Sequence, residues 1–310
     1  MADNYLRTYG DTSIREDVAT FVELITATET WFLQNLGKVQ ALGPVHQTQI
    51  DTLLTAASLA VEEGTDLSAT ALTTPTLLAN IVQHVAKAFS VSDVQRTVAH
   101  FNNEDAMSYQ LVKAGKDIGN AVEFDLIRSV LVSGVSGTTP KMKGIVQSIS
   151  KASNTTAHNS GTVLSASIIN GLMKANWDNS NGSTATDVFM GSFNRNTVDG
   201  FTQKSNTIVS VPATEILNLV DVYNTSFGRI AVHVHRRAYL ASSGGGIGAD
   251  STGRLLFVNP EYLKIAYLNP MYMIDLAKVG AADKKALVAD LTLEVKNQDP
   301  HLNATGFDVD

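Results

Sequence analysis

The sequence predicts an α+β protein built around one long helix, with a first third that does not close on itself. Three observations carry this. Residues 104–132 repeat apolar side chains at three- and four-residue steps. The residues before them mix short periodic runs with segments poor in large apolar groups. Near the C-terminus, Leu287–Val295 alternates with the period of two that belongs to a strand.

Residues 1–12 are polar and read as an arm. Ser13-Ile14-Arg15-Glu16 is a capping box, and Ile14, Val18, Phe21, Val22 and Ile25 continue one short helical face. Another short turn begins at Thr28 and stops at Leu36-Gly37. It carries Trp31 and Phe32, which fit either a local core or an anchor onto a neighbouring subunit. Gly43-Pro44 breaks the chain. From 45 to 76 there is a short strand near His46–Asp51, then small residues, then Glu62-Glu63-Gly64-Thr65-Asp66. Such a segment buries too little to offset chain entropy, so a projecting hairpin is expected. Residues 77–100 return with Ile81, Val85, Phe89 and Val91 on one side.

Asn102 and Asn103 are capping residues for the long helix, and Glu104 and Asp105 set negative charge at its positive end. Met107, Leu111, Ala114, Ile118, Val122 and Leu126 line one face; Lys113, Lys116, Asp117, Glu123 and Arg128 are placed off it. Gly115 and Gly119 permit close approach of another element, and Ser133-Gly134 is the expected stop. At 1.5 Å per residue the element spans roughly 40 Å.

After Gly137–Pro140 a new region begins. Val163–Trp177 reads as a helix with Leu164, Ile168, Leu172 and Ala175 on one face. A polar loop over Asp178–Thr186 leads to a short buried strand, Asp187–Met190. Ile216–Tyr223 and Arg229–Arg236 are strand-like, joined by the hairpin signal Asn224–Gly228. Ser242–Gly253 is a Gly/Ser-rich loop and Asn259-Pro260 a turn. Leu287, Ala289, Leu291, Leu293 and Val295 oppose Val288, Asp290, Thr292, Glu294 and Lys296, the pattern of a half-buried antiparallel strand whose partner is Tyr262–Leu276.

At 310 residues, with 44% hydrophobic composition, the chain can bury a substantial core. Charged residues are only 17%, so much of the surface is Ser, Thr, Asn and Gln or is covered by partners. The net charge of −7 argues against a dedicated nucleic-acid binder, yet suits a wall that encloses DNA without adhering to it. Without cysteine there are neither disulfides nor thiolate metal sites. Met-Ala-Asp-Asn-Tyr has no signal-peptide pattern, and no apolar run approaches the ~20 residues that span a bilayer.

Chemical motifs are weak. Gly244-Gly245-Gly246-Ile247-Gly248 lacks the third glycine of a dinucleotide fingerprint, and the Gly248–Gly253 spacing meets Arg254-Leu255 where a phosphate loop needs Lys and Ser or Thr. His233 and His235 share one strand face, but no third metal ligand is evident, so surface or hairpin histidines are favoured. Arg236-Arg237 is too short for a nucleic-acid patch and is expected to be solvated or subunit-facing. No catalytic residue, cofactor site or metal site is nominated.

Several segments, in order along nearly the whole chain, resemble the major capsid proteins of tailed bacteriophages with the Hong Kong 97 fold. They are Ile14-Arg15-Glu16-Asp17 with Thr28-Glu29-Thr30 and Leu36-Gly37-Lys38; Gln49-Ile50-Asp51-Thr52-Leu53; Glu104 through Glu123 with Gln110; Val222-Tyr223 with Phe227-Gly228; Asn259 through Leu263; and Leu276 through Gly280 with Leu293 through Asn297. The sequence departs from the family pattern at Trp31, where proline is common, and at Gln49-Ile50, where tryptophan is common. The resemblance implies an N-terminal arm (1–44), an extended loop (45–100), a peripheral domain with the spine helix (101–140 and 255–310) and an axial domain (141–254). It also implies self-assembly into hexamers and pentamers of an icosahedral head that encloses double-stranded DNA. Portal, decoration and scaffolding proteins would be partners, in a virion assembled in the bacterial cytoplasm. Some relatives cross-link through an extended-loop lysine; residues 39–86 hold no lysine, so no such bond is expected. Too little chain precedes Ser13 for a scaffolding segment, so scaffolding is expected from elsewhere. Glu62, Glu63 and Asp66 are candidates for pairing with a neighbour's Lys or Arg, beside Trp31, Phe32, Arg236 and Arg237 as interface candidates. The alternatives are an encapsulin-like shell holding a cargo enzyme, or a filament or surface-layer protein; of these, a flagellin-like filament, which needs helical heptads at both termini, is opposed by the strand at Leu287–Val295.

Overall fold

The computed structural model describes residues 30–51, 60–66, 74–98, 106–135, 137–180, 182–204, 222–236, 253–278 and 280–308. The capping box at Ser13, the helix start over 102–105, the strand start over 216–221, the loop 242–252 and Arg237 lie outside these residues.

Trp31–Asn35 forms the short helix α1, followed by strand β1 (Gly37–Gln40). β2 (Val45–Ile50) and β3 (Thr76–Ile81) pair antiparallel as a separate two-stranded hairpin. β4 (Gln83–Ser92) leaves that hairpin and joins a four-stranded sheet, so the returning arm of the predicted extended loop is divided between two sheets. After the short helix α2 (Asp93–Thr97) comes the spine helix α3 (Ala106–Arg128). Its predicted face is apolar and inward: Met107, Ala114, Ile118, Val122 and Leu126 are buried, and Leu111 packs on the same core.

The spine helix ends at Arg128, five residues before the expected Ser133 stop. The chain returning from the bridge between Val132 and Lys141 accounts for this. Gly144 N–H donates to Ser129 O at 2.9 Å. A Cβ at Gly144 would stand 2.8 Å from Ser129 N, so only glycine fits against the helix end. A short helix α4 (Ile145–Ser148) follows.

The chain continues with β5 (Thr155–Thr162), α5 (Ala166–Asn179), β6 (Asp187–Met190), α6 (Ser192–Lys204), β7 (Val222–Thr225), β8 (Gly228–Val234) and β9 (Gly253–Val258). It closes with β10 (Leu263–Leu276), β11 (Ala282–Val295) and β12 (Leu302–Phe307). α5 starts two residues after Leu164, because Ser165 is its cap and accepts the Ile168 N–H. Leu164 and Leu172 of the expected stripe are buried and Ile168 and Ala175 pack against the same core, with Ile169, Met173 and Asn176 widening the buried face. β7 and β8 form the predicted hairpin with Thr225 opposite Gly228, whose φ of 147° suits glycine.

The four-stranded sheet runs β1-β10-β11-β4, and a six-stranded sheet runs β5-β12-β9-β6-β8-β7. β9 and β12 are thus central strands of the six-stranded sheet. A boundary at 254/255, which assigns them to the other unit, does not follow the hydrogen bonds: β12 pairs antiparallel with β9 and parallel with β5. Every residue of β9 is buried. Leu256 and Val258 face the core of α3 and the four-stranded sheet; Leu255 and Phe257 face a second core with α5. β11 also corrects an expectation. Leu287, Ala289, Leu291, Leu293 and Val295 join the first core as predicted, but the opposite face is buried too. There Glu294 meets His46 of β2 at 3.0 Å, and Asp290 meets His84 at 2.5 Å and Asn269 at 2.7 Å. The base of the hairpin and side chains of the flanking strands cover what an isolated sheet would leave wet.

Candidate assembly surface

The spine helix first fixes the N-terminal side of the chain. The Glu123 carboxylate accepts the Phe32 N–H at 2.8 Å and the Leu33 N–H at 2.9 Å, capping the first turn of α1 from a residue far along the sequence. His235 Nε2 lies 3.1 Å from the same carboxylate. Both groups are buried, so each is the other's compensation for lost water. Gly119 makes room beside them: a Cβ there would meet the Thr30 methyl at 3.6 Å and Leu33 at 3.8 Å. Glu123 and Arg128, placed off the apolar face by periodicity, are therefore inside the protein.

Phe32 is 0% exposed, packed 4.6 Å from the Phe189 ring, and so is a core residue of its own chain. Its candidacy as a subunit contact is corrected by that burial. Trp31 lies mainly inward as well, 4.7 Å from Phe189 and 5.2 Å from His233. His233 and His235 do share a face, as the strand period requires. They are not surface histidines of the expected kind: His235 is buried on Glu123, and His233 reaches Asp187 at 2.8 Å. Among the described residues no group of three or more His, Asp or Glu side chains is arranged to hold a metal.

The hairpin carries the other candidates. Glu62, Glu63 and Asp66 are all exposed around a turn closed by Thr65 N–H to Glu62 O at 3.2 Å, with Gly64 at φ +87°. At its base, Asn80 donates to Leu293 O at 2.7 Å and to Lys143 O at 3.0 Å, and accepts Lys143 N–H at 2.7 Å. A crevice of about 230 Å³ separates this base from β11, lined by His46, Asn80, Lys143 and Glu294 among others. Burial holds the Lys143 ammonium below its usual pKa. Leu42 (92% exposed), Val45 and Leu77 present apolar surface at and beside the hairpin. Arg236 is exposed at the end of β8.

Sequence reasoning missed a second apolar surface. β1 pairs with β10 only from Lys264 to Tyr267, so among the described residues the distal half of β10 is a sheet edge. That half, beyond the register shifts around Asn269 and the donorless Pro270, exposes Met271, Tyr272, Met273, Ile274 and Leu276. A strand apolar on both faces with an open edge is a surface for self-association. The run Met271–Ile274, apolar without alternation, was the available signal. Where the hairpin of β10 and β11 turns, Lys278 meets Asp93 at 2.8 Å and Asp283 at 3.2 Å, and Arg96 also reaches Asp283. The Lys278 hydrogen bond, above all, holds the Asp283 carboxyl below its usual pKa.

The same architecture occurs in solved capsids. A chain from the capsid of the cyanophage P-SCSP1u is 13% identical, with a TM-score of 0.65 over 98% of this chain and 96% of that one. A chain from Mycobacterium phage Adephagia is 14% identical, with a TM-score of 0.64 over 99% of both. The SrpI encapsulin from Synechococcus elongatus PCC 7942 is 11% identical, with a TM-score of 0.63 over 98% and 96%. These likenesses identify the fold as Hong Kong 97-like. No curated protein sequence matches the chain. A family model described as SU10 major capsid protein matches residues 3–307. The chain therefore belongs to the SU10 major capsid protein family, whose members are structural subunits of the phage capsid shell and not enzymes.

Proposed function

We propose that this subunit assembles into hexamers and pentamers of an icosahedral head enclosing double-stranded DNA. The unit of α3 and the four-stranded sheet is the peripheral domain, and the unit of the six-stranded sheet is the axial domain at capsomer centres. The β2–β3 hairpin is the extended loop and lies across the adjacent subunit. The observation that carries this reading is the hairpin itself. Among the described residues its two strands pair only with each other, its base is tied to the chain by Asn80, and Glu62, Glu63 and Asp66, which lie between the strands in sequence, are exposed. A two-stranded ribbon is marginal alone, so a neighbour that covers Val45 and Leu77 supplies the missing burial. Each contact of this kind is worth about 25 cal/mol per Å² less ordering costs, and closed rings repeat it.

Glu62, Glu63 and Asp66 meet basic groups of the neighbour, and Arg236 and Arg237 face another subunit. The wall's net charge of −7 lets packaged DNA stay unbound. Scaffolding, portal and decoration proteins are partners, and assembly takes place in the cytoplasm of the bacterial host. Electron microscopy of the purified chain tests the reading. Closed shells or ring-shaped capsomers are expected; a population of monomers at high concentration would overturn it. The likeness to an encapsulin favours a second reading, a shell that holds a cargo enzyme. Particles purified from the native source separate the two: nuclease-protected DNA supports the first, and a co-purifying enzyme supports the second.

A further inference from the structure

Two lysines crowd one another on the four-stranded sheet. Lys264 of β10 stands opposite Glu294 of β11. Beyond that pair, Lys296 N–H donates to Tyr262 O at 2.9 Å. Lys296, two residues past Glu294, therefore shares its face and is the diagonal neighbour of Lys264. Contact with the Lys296 ammonium, and then its charge, hold Lys264 below the usual lysine pKa. The carboxylates of this face are already engaged: Glu294 meets His46 at 3.0 Å, and Asp290 meets His84 and Asn269. On the β1 side Lys264 is paired with Gly37, which has no side chain to offer. Both lysines are partly exposed, and among the described residues neither forms an ion pair. Two ammonium groups held together at a surface favour an incoming anion.

The same chain carries the complement. Glu62, Glu63 and Asp66 are exposed, and among the described residues they too form no ion pair. Gly64, at φ +87°, turns the chain among them. The hairpin places the two sets of charges at opposite ends. His46, on Glu294, fixes its base beside the lysines. Ile50 lies four residues further along β2, about 13 Å away, and the acidic turn follows it in sequence. A neighbouring copy beneath the hairpin presents the lysines without the ribbon doubling back.

We propose that Lys264 and Lys296 are the docking site for the Glu62–Asp66 turn of a second copy of this chain. This rests on the shell reading, in which the hairpin lies across the adjacent subunit. The contact is heterologous: each subunit gives its turn to one neighbour and receives the turn of another, so it closes around a ring. Each exposed ion pair is weak and screened by salt, and the ring repeats it.

Charge reversal in the full chain tests the site. Lys264→Glu, Lys296→Glu is one variant, and Glu62→Lys, Glu63→Lys, Asp66→Lys is another. Each should slow shell formation at low salt by about tenfold or more, followed by light scattering and electron microscopy. The chain carrying both sets should recover most of the wild-type rate. Lys113→Glu, Lys116→Glu, exposed on α3, should leave the rate unchanged. Circular dichroism checks folding. If the first variant misfolds, Lys264→Gln, Lys296→Gln replaces it and should remove most of the salt dependence of the wild-type rate. Wild-type shells with variants that assemble equally fast would overturn the docking site and leave the shell reading intact. So would slow assembly that the combined chain fails to rescue, or shells that form normally and only hold less DNA. A wild-type chain that stays monomeric would overturn both.

Discussion

Glu123 shows how one side chain sets the course of a chain. Its carboxylate holds the first turn of α1 and meets His235, with the carboxylate and the imidazole both out of water. Removing it leaves two backbone donors unanswered and takes a buried carboxylate away from the His235 imidazole. Glu123→Ala should therefore cost about 3 to 5 kcal/mol of stability, while Glu123→Gln, which keeps an oxygen acceptor, should cost less. Urea denaturation of unassembled chain measures both. His301 gives a pH-dependent counterpart. It is fully buried, accepts the Asn259 N–H, and burial drives its pKa from 6.5 to about 4. The folded state thus refuses a proton that the unfolded chain accepts below pH 6.5. Stability should be flat above that value, fall by about 3 kcal/mol as pH drops to 4, and level off below. In His301→Gln this part of the pH dependence should vanish. Little of this was legible in the sequence. Periodicity placed Glu123 on the polar side because its partners are 91, 90 and 112 residues away.

At the scale of elements, the long periodic segments announced themselves and the short or polar ones did not. α3 and β11 follow from apolar period alone, and β10 follows as the partner that β11 requires. β12, Leu-Asn-Ala-Thr-Gly-Phe, has no clean alternation; its strand exists because β9 and β5 flank it. α6 buries Val198 but carries a mostly polar sequence, so its helical period was hidden. β11 read as half-buried because the residues that cover its polar face come from β2, β4 and β10. The tightest test of an element is Gly306 in β12. It sits at φ +97°, and a Cβ there would stand 2.1 Å from His158 O of β5. Gly306→Ala should break the β5–β12 pairing and cost more than about 3 kcal/mol, seen as lost soluble yield and a lowered melting temperature. Gly171 is the control: nothing lies within 4 Å of its added Cβ in α5, and Gly171→Ala should stabilise by up to about 1 kcal/mol.

For the whole molecule, the decisive distinction is between folding and assembling. Phe32 belongs to folding; the hairpin and the distal half of β10 are exposed and available for assembling. Leu77 is 61% exposed, so Leu77→Asp should leave the circular dichroism spectrum and melting temperature unchanged. The same change should abolish shells in electron micrographs, because it puts a charge where the neighbour would bury an apolar group. Met273→Asp, on the open edge, should act likewise. Periodicity could show that the first third lacked a core of its own. It could not show that β4 would leave the hairpin for the sheet, since that choice depends on β11, roughly two hundred residues later.

β9 lends alternate side chains to opposite interiors, which makes it a party wall. Neither room can be remodelled or emptied while the other keeps its shape, so heat should dismantle both in one step. A tile built this way has no internal joint. Whatever bending a closed container demands must be absorbed at its seams, by the protruding ribbon and the bare strand margin.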